Sequence, residues 1–149
     1  MALFEQIDRD MVTARKERDD TRLATLGLLK SEVVRAAKEP GSGGTGDDLV
    51  LRVLRKEVKR REEAARAYAA AGRVESARRE EAEAEVLRGY LPAELDEAEL
   101  EREVRAAIDE VGPRGPRDFG AVMRAASARL AGRAEGGRIA AVARRLLGS

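Results

Sequence analysis

The 149-residue chain contains no cysteine, no histidine and no tryptophan. Without cysteine it can form no disulfide or zinc–thiolate site, and it has no thiol nucleophile. Without histidine it lacks the commonest general base and metal ligand at neutral pH. These absences exclude much hydrolytic and metal-dependent chemistry. We therefore assign no catalytic, cofactor-binding or metal-binding residue in this chain.

Long hydrophobic runs are absent too. No stretch approaches the roughly 20 apolar residues that cross a bilayer, and the N-terminus shows neither a signal peptide nor a lipidation motif. We expect a cytoplasmic protein with no membrane partner. Hydrophobic residues make up 43% of the chain and charged residues 38%, a composition typical of soluble helical proteins.

The apolar residues recur every three or four positions in seven segments, and no segment alternates with the period of two that marks a strand. This pattern predicts an all-α fold, with an N-terminal four-helix unit followed by a C-terminal three-helix tail-like domain. The predicted domains are residues 1–92 and residues 93–149.

The boundary falls at the segment Tyr90-Leu91-Pro92. Pro92 lacks a backbone N–H and disfavours helical geometry at Leu91, so the preceding helix must end near Gly89 or Tyr90. Asp96, with a glutamate three positions later, predicts the start of the next helix. We expect Tyr90, Leu91 and Leu95 to be buried.

A basic run, Lys56-Glu57-Val58-Lys59-Arg60-Arg61, lies within the predicted third helix. It could form an RNA-binding stripe. However, Glu57 is within helical reach of Arg60 and Arg61, which favours a solvated face with internal ion pairs. The fourth helix is rich in glutamate and follows a short connection, so we expect it to pack beside the third as a hairpin.

Charge is divided unevenly in the C-terminal part. Residues 93–111 contain eight acids and two arginines, a net charge of −6, whereas residues 112–149 contain eight arginines and two acids, a net charge of +6. After Lys59 every basic residue is arginine. Such a basic segment fits a nucleic-acid partner, and it also fits a partner rich in carboxylates.

Four motifs together resemble those of the YqeY family of small bacterial proteins. They are Lys56 to Arg61, Tyr90-Leu91-Pro92 followed by Leu95, Asp118 to Met123, and Gly132 to Gly136. The C-terminal part is also similar to the tail domain of the B subunit of the tRNA-dependent amidotransferase, in which the tail grips tRNA. The resemblance implies two helical domains and a connection to tRNA. The family is often classed among carbon–nitrogen ligases that use glutamine as amido donor.

If the tail binds RNA, basic side chains and flexible glycines should carry the contacts with phosphate. The candidate residues lie in the loop before the sixth helix, on that helix, and at the start of the seventh: Arg114, Arg117, Arg124, Arg129, Arg133, Gly136, Gly137 and Arg138. Phe119 lies on the apolar stripe of the sixth helix and is expected in the core, not in a base-stacking platform.

Three functional hypotheses follow. The first is a non-catalytic adaptor that binds tRNA or another structured RNA. The second is a protein-interaction module in which the acidic fifth helix and the basic tail contact a protein partner. The third is a component of a carbon–nitrogen ligase that acts only with partner subunits, because this chain has no nucleotide-binding fingerprint and no activated nucleophile of its own.

Overall fold

The computed structural model describes residues 2–112, 116–130 and 132–148, and within these residues the only regular elements are helices. The prediction of an all-α fold is confirmed. The elements are α1 (Leu3–Lys16), α2 (Asp20–Ala37), α3 (Asp47–Ala70), α4 (Val74–Arg88), α5 (Glu97–Val111), a short 3₁₀ helix (Pro116–Asp118), α6 (Phe119–Leu130) and α7 (Gly136–Leu147).

The chain forms two compact units, Met1–Leu91 and Pro92–Ser149. Helices α1 to α4 lie in the first and α5 to α7 in the second. The assignment of these units as separate domains, with a boundary at residue 92, stays a prediction. No helix in the described ranges has the length and apolarity needed to cross a membrane.

The first unit is built around apolar side chains from all four of its helices. Leu26, Leu29 and Val33 of α2 and Val50 and Leu54 of α3 are among the buried residues of this core. Asp19 caps α2, because its Oδ1 accepts a hydrogen bond from the backbone N–H of Arg22 at 3.1 Å. The core therefore results from the apolar faces of four helices, of which α2 begins at a side-chain cap.

Helices α3 and α4 pack side by side as the predicted hairpin. Arg88, at the end of α4, strengthens this pairing. Its Nη2 lies 2.9 Å from Glu62 Oε2 of α3, and its Nη1 lies 2.9 Å from Glu85 Oε2 of α4. The hydrogen bond with Glu62 is the main reason why the pKa of Arg88 is raised above its ordinary value.

Helix α4 ends at Arg88, as the position of Pro92 predicted. Tyr90 is buried in the first core, and its hydroxyl donates a hydrogen bond to the Asp10 carboxylate. Burial, reinforced by this bond, raises the pKa of Tyr90 to about 12. Leu95 is buried in the second core, whereas Leu91 is only half-buried, so the expectation of full burial fails at Leu91.

The second unit has its own core, formed by one face of each of its three helices. Leu100 and Val104 of α5, Val122 of α6 and Val142 of α7 are buried there. Asp96 caps α5 as predicted, because its Oδ1 accepts a hydrogen bond from the Glu99 N–H at 2.8 Å. This bond is the main reason why the pKa of Asp96 is lowered.

The predicted ion pairs of the α3 basic run are present, but two of their members are not solvated. The Glu57 side chain is 1% exposed and the Arg61 side chain 7% exposed. Arg61 Nη1 donates to Glu57 Oε1 at 2.9 Å, and Arg61 Nε lies 3.5 Å from Glu83 Oε2 of α4. The expectation of a solvated face is wrong at these positions, because the α4 hairpin covers this side of α3.

The burial of the Glu57–Arg61 ion pair leads to a prediction about stability. Replacing either Glu57 or Arg61 alone with leucine leaves a buried charge short of its main partner and should reduce the free energy of unfolding by about 3–5 kcal/mol. The double variant Glu57→Leu/Arg61→Leu should lie much nearer the parent protein, since neither fully buried charge remains. Urea unfolding followed by circular dichroism measures all three. If the double variant loses as much free energy of unfolding as the two single variants together, Glu57 and Arg61 are not coupled and the prediction is wrong.

Candidate nucleic-acid interface

The candidate residues fall into three groups along the second unit. Arg114 lies outside the described residues. Arg117 is exposed in the 3₁₀ helix, and Arg124 and Arg129 are exposed on α6. The third group surrounds the start of α7: Arg133 precedes the helix, and Gly136, Gly137 and Arg138 form its first turn.

Arg138 is held inside the unit by several contacts. Its Nη2 donates to the backbone oxygen of Leu95 at 3.0 Å and to Glu97 Oε1 at 3.0 Å, while its Nη1 lies 3.5 Å from Glu94 Oε2. The side chain is 29% exposed. Arg138 thus joins the start of α7 to the segment that precedes α5, and it is less accessible to a phosphate than the sequence suggested.

Arg133 takes part in the same junction. Its backbone oxygen accepts a hydrogen bond from the Leu95 N–H at 3.0 Å, so both backbone polar groups of Leu95 are bonded to residues 133–138. The Arg133 side chain is half-buried, and its Nε donates to the Leu130 backbone oxygen at 3.3 Å. Arg133 therefore shapes the loop before α7.

Two further arginines of the basic segment pair with acids of α5. Arg129 Nε donates to Glu103 Oε2 at 3.1 Å, and Arg145 Nη1 lies 3.6 Å from Glu101 Oε1. Arg105, which lies on α5 itself, donates to the same Glu101 oxygen at 2.9 Å. The hydrogen bond from Arg105, followed by the charge of Arg145, lowers the pKa of Glu101. The acidic and basic segments of the sequence thus partly neutralise each other when the unit folds.

Gly136 and Gly137 are exposed at the N-terminus of α7, where the first amides of a helix have no intrahelical acceptor. The carboxylate of Glu135 lies beside them, since a Cβ atom at Gly137 would be 3.6 Å from Glu135 Oε1. An acid in this position is favoured by the positive end of the helix dipole. A phosphate at this helix start would have to displace or tolerate Glu135.

Among the described arginines of the candidate set, Arg117 and Arg124 are exposed and, unlike Arg129 and Arg138, form no ion pair with α5. Arg124 projects from the exposed side of α6, and its guanidinium lies close to the exposed Gly120, one turn earlier, where a Cβ atom would be 3.7 Å from Arg124 Nη1. Neither residue is needed for the core of the unit. These two positions are where an incoming phosphate would meet the least competition from internal contacts.

Sequence reasoning missed the role of Arg144. Its guanidinium carbon lies 4.7 Å from the centroid of the Phe119 ring, within cation–π distance. Phe119 itself is half-buried against the second core, in line with its predicted place there. The spacing of 25 positions between the two residues gives no local signal for the contact, which results from the packing of α7 on α6.

The described residues also bear on metal binding, since they contain no group of three or more acidic side chains arranged to hold an ion. The clustered glutamates of α4 are instead arranged around arginines: Glu83 lies near Arg61, and Glu81 and Glu85 lie near Arg88.

The contacts of Arg138 predict a structural role that distinguishes it from Arg145 on the same helix. Arg138→Ala removes a charge-assisted hydrogen bond and leaves the Leu95 oxygen without this donor, so it should reduce the free energy of unfolding by about 1–3 kcal/mol. Arg145→Ala removes only a long, exposed ion pair and should have little effect. Thermal and urea unfolding compare the two. Equal losses would contradict the assignment.

The family model described as Yqey-like protein matches residues 4–147, nearly the whole chain. No curated protein matches the chain at a significant level. The match includes both compact units and all four motifs from which the resemblance was drawn. This chain belongs to the YqeY family.

Proposed function

We propose that this protein is a non-catalytic adaptor that binds tRNA, or an RNA of similar fold, through the basic surface of its second unit. The observation that carries the proposal is the exposure of Arg117 and Arg124, which project to solvent where a phosphate can reach them. The exposed side chains of Arg129 and Arg144 add positive charge on α6 and α7.

The chemistry of the surface favours recognition of shape and backbone. Guanidinium groups contact phosphate oxygens in a bidentate manner and carry no base information by themselves. Structured RNA is read largely through its shape, phosphates and 2′-hydroxyl groups. With its one nearby aromatic ring, Phe119, half-buried beneath Arg144, the described surface is suited to folded RNA in preference to unpaired bases.

Binding of this kind should depend steeply on salt. About four phosphate contacts would give a slope near −3 to −4 in a plot of log affinity against log salt concentration. The variant Arg117→Ala/Arg124→Ala should weaken tRNA binding and reduce the magnitude of the slope by roughly 2, one unit for each lost contact. Fluorescence anisotropy with labelled unfractionated tRNA measures both quantities.

The matched control is Arg52→Ala/Arg79→Ala, which removes two exposed arginines of the first unit and changes net charge by the same amount. It should leave the slope nearly unchanged. An equal effect of the two double variants would indicate nonspecific attraction, and no binding of the parent protein at low salt would contradict the proposal.

The carboxylates that hold Arg138 should act as internal competitors of RNA. In the variant Glu94→Gln/Glu97→Gln the Arg138 guanidinium keeps its hydrogen bond to the Leu95 oxygen but loses its two carboxylate partners. A phosphate should therefore bind Arg138 more readily. We expect tRNA affinity to rise roughly three- to tenfold at low salt. The same anisotropy titration measures the change.

The control for this variant is Asp109→Asn/Glu110→Gln, which removes two exposed acids at the opposite end of α5. If both variants raise affinity equally, long-range charge explains the effect and Arg138 is not a contact.

The two other hypotheses give different results in related experiments. A protein-interaction module would retain one stoichiometric protein partner after ribonuclease treatment, through the same arginines, because they also pair with carboxylates. A ligase component would support amidation of mischarged tRNA with ATP and glutamine when its partner subunits are added. RNA binding without either result would leave the adaptor as the function.

A further inference from the structure

A shallow groove lies between α3 and α4, near the tip of the hairpin in the first unit. Its volume is about 440 Å³, and it is open to solvent along one side. Ala65 and Ala69 of α3 and Val74 and Ala77 of α4 line it. It therefore presents an apolar surface on a pair of packed helices, in the unit that does not contain the candidate RNA-binding residues.

The exposure of Val74 indicates that this groove is not part of the packed core. This residue is 53% exposed, although removing a valine side chain from water is favourable. The alanines beside it are small enough to let another backbone come close. An occupant that inserts apolar side chains here would cover Val74 and fill the space between the helices.

The charges around the groove indicate the chemistry of the occupant. Arg66 lines it from α3, and Arg78 lines it from α4. Arg78 is paired only with Glu75, at 3.3 Å, and both side chains are largely exposed, so this pair exchanges readily with another carboxylate. Glu81 also lines the groove, so the lining carries two arginines and one carboxylate. Glu81 Oε2 lies 3.5 Å from Arg88 Nη2, a guanidinium that also binds Glu62 and Glu85.

We infer that the α3–α4 groove binds an amphipathic helix of a partner protein, in which an apolar stripe is flanked by carboxylates. The stripe would fill the alanine-lined floor and cover Val74, while acids on its two sides would meet Arg66 and Arg78. An apolar helix face lying in a groove between helices is a recurrent mode of peptide recognition. The open side of the groove suits a helix better than an enclosed small ligand.

A second copy of the chain suits the groove less well. Two hairpins facing each other would bring Arg66 and Arg78 from both copies towards one apolar centre, and like charges facing each other are unfavourable. The inference does not depend on RNA binding, because its residues all lie in the first unit.

The test is selection from a helical peptide library displayed on phage against the full-length protein. Peptides that bind should carry apolar residues at three- and four-residue spacing with aspartate or glutamate beside them. They should bind in the micromolar range by fluorescence anisotropy. Replacing their acids with lysine should weaken binding roughly tenfold or more, because arginines line the groove.

The site is tested with Ala69→Gln, which fills the groove at an exposed helical position. Ala67→Gln is the control, since Ala67 is exposed on the same helix but does not line the groove. Ala69→Gln should reduce peptide affinity at least tenfold, and Ala67→Gln should leave it unchanged. Arg66→Ala/Arg78→Ala should reduce both affinity and its salt dependence.

Several outcomes would overturn the inference. They are the absence of selected binders, enrichment of basic peptides, or peptide binding that Ala69→Gln does not affect. Light scattering provides the further control for self-association. If the protein dimerises and Ala69→Gln abolishes the dimer, the groove is an interface between copies, and the inferred partner helix is wrong.

Discussion

The hydrogen bonds that Leu95 makes with Arg133 and Arg138 determine how the second unit is assembled. Three short helices provide a small core, so their arrangement depends on contacts between distant segments. Leu95 inserts its side chain into that core, while its N–H and C=O are both bonded to residues next to α7. The start of α5 is thereby fixed to the start of α7, and the acids at positions 94 and 97 are brought to Arg138. The backbone hydrogen bonds of Leu95 thus decide which carboxylates pair with Arg138.

Under this constraint the described arginines of the second unit fall into three groups. Arg138 is half-buried and serves the fold, so its removal affects stability before any partner is involved. Arg129 and Arg145 make exposed pairs with α5, which are worth little and can open for a phosphate. Arg117 and Arg124 are exposed and form no ion pair with the described part of α5. The net charge of +6 on residues 112–149 therefore overstates the positive charge that is available to an RNA. The strongest contacts with RNA should come from the 3₁₀ helix and α6.

Much of the fold could be predicted because its signals are local. Helix periodicity, Asp96 as a cap, and the helix stop before Pro92 each depend on a few neighbouring residues. The misassigned features depend on segments far apart in sequence. The burial of Arg61 requires α4, and the contacts of Arg138 with Leu95 and Glu97 span 43 and 41 positions. Charge patterns identified the arginines, but only packing shows which of them are already paired.

Arginine serves three different purposes in this chain. Arg61 is buried with Glu57 and brings a charge into the α3–α4 hairpin, Arg138 bonds to a backbone oxygen and a carboxylate together, and Arg124 stays open to solvent. A lysine ammonium could not replace the first two equally, because the planar fork of the guanidinium bonds several acceptors in fixed directions. The same fork recognises phosphate and carboxylate. Accessibility, and not residue type, therefore decides which arginines stabilise the protein and which remain available to bind a partner.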